Sequence, residues 1–165
     1  MDRPYNYKSC QSLFGYAVDV HVRSRGQCQL CGCGGPPLDF HLWRQMTVEH
    51  LLGRSQGGYL QQIRESVAKR FKDLPETDQH ELSKRIDALN TVTACSFCNS
   101  TTSRDVSAES MTDLILRTKG TPSDVVAAVE AELGVVLARK RRDVQWKLEA
   151  VQKAFEREVS ARVAG

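Results

Sequence analysis

The sequence predicts an α+β fold that is mainly helical. Three patterns predict it. Two Cys-x-x-Cys knuckles, Cys28 with Cys31 and Cys95 with Cys98, bracket the middle of the chain. Between them, residues 45–52 alternate apolar and polar side chains, as a strand does. Elsewhere apolar residues recur every three or four positions, the spacing of helices that bury one face.

In chain order, residues 1–12 form a polar lead with Cys10, to which no role attaches. Residues 13–25 read as a helix with Leu13, Ala17 and Val20 inward, ended by Gly26. The first knuckle follows, and Cys33 stands two places beyond it as a competing thiol; the spacing favours Cys28 and Cys31. Residues 40–43 and 45–52 read as two strands of a hairpin. Met46, Val48 and His50 take one face of the second strand, and Thr47, Glu49 and Leu51 the other. His41, in the first strand, reads as packed or exposed and not as a ligand. Residues 51–58 break into a glycine-rich loop.

Residues 59–89 read as a helical insertion. Leu60, Ile63, Val67 and Phe71 make one stripe, Pro75 breaks it, Thr77 caps the next helix, and Leu82, Ile86 and Leu89 make a second stripe. Six basic and six acidic side chains between Arg64 and Asp87 cancel, so this is not the expected nucleic-acid surface. A short extended run leads into the second knuckle, and a helix is expected to begin near Asn99. Ser107 caps a helix carrying Met111, Leu114 and Ile115, which Gly120 stops. Thr121 and Pro122 open another, with Val125, Val126, Val129 and Leu133 on one face. Gly134 either breaks that helix or weakens it. Leu137, Val144, Leu148, Val151, Phe155 and Val159 then follow a near coiled-coil seam, which folds back on the domain or pairs with a second copy.

The expected division is a core over residues 1–104 and a helical region over 105–165. A chain of 165 residues fits one small domain with an appendage. No segment approaches a membrane span, and residues 1–10 do not resemble a secretory signal. Free thiols fit a reducing interior, so the cytoplasm is the expected location. The net charge of +3 is modest. Phosphate contacts must therefore come from grouped cations: Arg54 and Arg104 near the knuckles, and the run Arg139, Lys140, Arg141 and Arg142. The run reads equally as a solvated helix face.

Paired knuckles are the donor set of a structural zinc ion, which takes four thiolates in a tetrahedron. Cys28, Cys31, Cys95 and Cys98 are the expected ligands.

Cys-x-x-Cys, then Glu49-His50 followed by Ser55-x-Gly57-Gly58, then Asn90, then Cys95-x-x-Cys98-Asn99 resembles the HNH endonucleases of the ββα-metal (His-Me finger) fold, in the variant with a final Asn. The resemblance spans about residues 23–103. It implies a metal-dependent endonuclease hydrolysing DNA phosphodiester bonds, leaving a 3′-hydroxyl and a 5′-phosphate. It assigns His50 as general base and Asn90 as the residue that holds the His50 loop by amide hydrogen bonds. Glu49 and Asn99 become ligands of a catalytic divalent ion, Mg²⁺ or Mn²⁺ by their hard oxygen donors. Glu49 stands where the family more often has Asp. DNA is the implied partner, and a homodimer through the C-terminal helix would suit a nuclease that cuts both strands. Two other readings stand beside this one: a non-catalytic zinc-stabilised module that binds DNA or protein, and a helical interaction protein with a zinc clip.

Overall fold

The computed structural model describes residues 6, 17–53, 59–102 and 111–165. The expectations for Cys10, Leu13, Arg54, Arg104, Ser107 and residues 54–58 of the glycine-rich loop fall outside them.

Helix α1 (Ala17–Arg23) ends in a left-handed turn at Arg25 and Gly26, with φ of 56° and 69°. The positive φ of Gly26 is one that glycine adopts without strain. The first knuckle follows. Cys28 N–H donates to Cys33 O at 2.9 Å, and Gln27 bridges to Gly34.

The expected hairpin does not form. Residues Phe40–Trp43 make one helical turn, α2, in which Asp39 Oδ1 accepts from Leu42 N–H at 2.7 Å. Four residues are too few to separate period 2 from period 3.6, and the Asp39 cap decides for the helix. Strand β1 (Met46–His50) finds its partner elsewhere. It pairs antiparallel with β2 (Thr91–Cys95), with Met46 opposite Cys95 and His50 opposite Thr91.

Two helices fill the connection, α3 (Leu60–Arg70) and α4 (Glu76–Leu89). The second starts one residue before Thr77, with Pro75 as its cap and Pro75 O accepting from Asp78 and Gln79 N–H. Proline already holds a φ suited to a helix entrance. Helix α5 (Ser96–Thr101) begins directly after β2, so Cys98 and Asn99 are helical residues. The core of the chain is thus two antiparallel strands and a helix packed on both, with a helical hairpin inserted between the strands.

Helix α6 (Met111–Arg117) precedes α7 (Pro122–Phe155), which a π turn (Glu156–Ser160) and α8 (Ala161–Val163) prolong. Thr121 and Asp124 form a capping box at the start of α7. Gly134 does not break the helix. Val125, Val126, Val129, Leu133 and Val136 of α7 join Leu51, Leu52, Ile63, Ile86, Met111 and Ile115 in one apolar cluster. Further along, Val144 joins Cys28, Met46, Ala94, Cys95 and Cys98 in a second. One helix therefore splints both clusters. The predicted seam splits: Val144 is buried and Leu148 partly so, whereas Val151, Phe155 and Val159 are about half exposed. Among the described residues no helix is long and apolar enough to cross a membrane.

Candidate metal centre and the adjoining face of β1

The sulfurs of Cys28, Cys31, Cys33 and Cys95 all lie within 4.8 Å of one another. Cys31 Sγ and Cys95 Sγ are 3.9 Å apart. Zinc–sulfur bonds of about 2.3 Å set tetrahedral sulfurs about 3.8 Å apart, so the spacing fits an ion and not a disulfide. These four cysteines can hold a metal, and an all-sulfur donor set suits zinc.

Cys98 is fully buried and its thiol interacts with those of Cys28 and Cys95. Sulfur donation from Cys95, then Cys98, holds the Cys28 thiol far below its ordinary range. Cys98, the giver, is pushed far up by that bond to Cys28. Burial pushes Cys33 up as well. The four sulfurs brought together are those of Cys28, Cys31, Cys33 and Cys95, so Cys33 stands where Cys98 was expected, with Cys98 buried beside them as the other candidate. Cys33, the competing thiol two places beyond the knuckle, joins this group. Gly34, at φ 79°, leaves no room for a side chain, because a Cβ there would meet Met46 Cε at 2.8 Å.

The register of β1 and β2 sorts the remaining candidates. Residues directly opposite one another share a face. Val48 and His50 therefore lie with Thr93 and Thr91, on the side that α1 approaches. There His21 Nδ1 meets Thr93 Oγ1 at 2.9 Å, and Arg23 donates to Thr91 O at 3.1 Å and Ala88 O at 3.0 Å. His50 is half-buried at the last position of the strand, and burial lowers its pKa, favouring the neutral ring.

Asn90 is fully buried at the junction of α4 and β2. Its Nδ2 donates to Leu52 O at 2.8 Å, and its Oδ1 accepts from Leu52 N–H at 2.8 Å. Its backbone O accepts from Leu51 N–H at 2.9 Å. The segment just after His50 is therefore clasped to the start of the opposite strand.

Thr47 and Glu49 occupy the other face. Thr47 Oγ1 donates to Ala94 O at 3.0 Å, so it can only accept from Asn99, whose Nδ2 lies 2.8 Å away. That fixes the Asn99 amide and leaves its Oδ1 without a protein donor among the described residues. Asn99 is the fourth residue of α5 and so does not cap it. Thr47, Ser96, Phe97, Asn99 and Ser100 line an open hollow of about 590 Å³.

Glu49 already has a cation. Lys140 Nζ lies 2.6 Å from Glu49 Oε1, with side-chain exposures of 5% and 15%. This corrects the expectation that Lys140 is a surface phosphate contact. Lys140 sits four residues from Val136 and four from Val144, both buried, so it belongs to the inward stripe of α7. That spacing was the missed signal. Arg139, Arg141 and Arg142 are exposed, and Arg141 Nε donates to Gln29 O in the first knuckle at 2.7 Å.

No protein-family model matches the chain, and neither the curated proteins nor the solved structures contain a match.

Proposed function

We propose that this protein is an HNH-type endonuclease that hydrolyses DNA phosphodiester bonds, with β1, β2 and α5 as a ββα-metal core. The observation that carries the reading is the Asn90 clasp. A buried amide holds the segment after His50 through two 2.8 Å bonds, which is what aiming a general base at a fixed point requires. Burial lowers the His50 pKa and so favours the neutral ring, which can accept a proton from the attacking water. Glu49 and the fixed Asn99 Oδ1, hard oxygen donors on the face of β1 opposite His50, would hold Mg²⁺ or Mn²⁺, so the scissile phosphate would have to sit across the end of the strand for the His50 ring to reach its water. Such an ion, when bound, supplies Lewis acidity toward the scissile phosphate. Exposed Arg139, Arg141 and Arg142 offer charge to the flanking phosphates. The cysteine centre holds a structural zinc that fixes the first knuckle to the start of α5.

Plasmid nicking tests this. Open circles should form with Mn²⁺ or Mg²⁺, vanish with chelator, and vanish in a zinc-loaded His50→Ala protein. Wild-type nicking by that variant would remove His50 as the base.

A second reading has its own observation. The buried Glu49–Lys140 pair at 2.6 Å neutralises the proposed ligand, as in a non-catalytic zinc module that binds DNA or protein. DNA retention without nicking under any divalent ion would favour it. The exposed Val151, Phe155 and Val159 of α7 and the π turn suit pairing with a second copy. Sedimentation at micromolar concentration checks this, and a monomer throughout would count against it.

A further inference from the structure

Lys140 is a buried lysine on a helix whose other inward residues are apolar. A buried ammonium costs several kcal/mol unless it is paired, and its partner here is the one carboxylate that the nuclease reading gives to a divalent ion. Lys140 reaches Glu49 across 91 residues of sequence. Glu49 shares its face of β1 with Thr47, which fixes the Asn99 amide. Lys140 holds Glu49 Oε1, so the ammonium and the proposed ion would compete for the one carboxylate.

We propose that Lys140 is a built-in cation gate. It holds Glu49 while the site is metal-free, yields the carboxylate when a divalent ion arrives, and then stands beside that ion as a positive group for substrate phosphate. The pairing of Glu49 with Lys140 sums to zero charge, so a divalent ion meets a neutral site and binds weakly. The ion alone displaces the ammonium at a cost, and a polyanion that then pairs with the freed ammonium tightens its binding. Lys140 is on this account a positioning residue for the site, acting through Glu49. The inference rests on Glu49 being an ion ligand, as proposed above.

Mn²⁺ titration of the zinc-loaded full chain, read by the spectrum of free Mn²⁺, tests the gate. Lys140→Met removes the competitor and should bind Mn²⁺ at least tenfold more tightly than wild type. Equal or weaker binding means that Lys140 does not compete, and the gate is overturned. The wild-type protein gives an independent readout. Acetylation by an amine-reactive ester, mapped by mass spectrometry, should be slow at Lys140 without Mn²⁺ and several-fold faster at saturation. Unchanged protection at saturation overturns the gate even if the variant does not fold, and so does failure of wild type to bind millimolar Mn²⁺. Nicking by the same samples separates the two ideas. Nicking with no gain in Lys140→Met affinity retains the nuclease and discards the gate. Tighter Mn²⁺ binding by the variant, with no nicking by either protein, retains the gate and discards the nuclease.

Discussion

Asn90 shows what one side chain contributes when both of its amide atoms are used in a dry place. Replacing it with Ala leaves Leu52 N–H and C=O without their partners, and both belong to a residue only 3% exposed. Each orphaned buried group costs roughly 1–3 kcal/mol, so Asn90→Ala should lose about 2–4 kcal/mol in urea unfolding. Asp87, one turn of α4 away, works in the opposite sense. Burial raises its pKa above the usual 3.8, and Arg64 only partly offsets this. Below that value the carboxyl is protonated whether the chain is folded or not, and the penalty is absent. As pH rises the unfolded chain ionises first, and the folded state loses relative stability. Asp87→Asn should therefore melt higher than wild type at neutral pH, with the gap closing toward pH 4. A constant gap across that range would mean that the carboxyl is not the source.

At the scale of elements, α7 is the place where propensity and packing can be separated. Gly134 is exposed within a 34-residue helix, and a Cβ there meets nothing within 4 Å. Gly134→Ala should stabilise the protein by about 0.5–1 kcal/mol through backbone entropy alone, read as a higher melting temperature. Helices were the legible elements. The inserted pair over residues 59–89 and the Thr121–Pro122 start of α7 follow from stripes and caps that lie within a few residues of one another. The span of β1 was legible for the same reason. Its partner was not, because β2 lies about 40 residues on, and period-2 alternation carries no information about which strand pairs with which. Lys140 was hidden for a related reason. A basic run looks solvated, and only the Val136–Lys140–Val144 interval turns one member inward. Asn90 and Asn99 were readable as candidates from order along the chain, whereas the hydroxyl of Thr47 that orients Asn99 had no mark in the sequence.

For the whole molecule, the sulfur centre joins parts that the backbone alone holds loosely. Met46, Ala94 and Val144 close around it, so an ion held there would anchor the second apolar cluster. Zinc analysis should give one ion per chain, and Cys95→Ser should lower the melting temperature by ten degrees or more, roughly the loss of 2–4 kcal/mol in a domain of this size. An unchanged melting temperature in that variant would argue against a shared ion. Comparing Cys33→Ser with Cys98→Ser identifies the fourth ligand, since only one of the two should lose the ion.

Cys31 and Cys95 are separated by 64 residues yet meet at 3.9 Å. A chain emerging from the ribosome therefore offers Cys28, Cys31 and Cys33 long before Cys95 and Cys98 exist outside the exit tunnel. An ion held there in that interval would have at most three protein thiolates, with water able to complete its coordination. Its closed all-sulfur site would form only after α3 and α4 have been synthesised, so the inserted helices would set a delay on metallation.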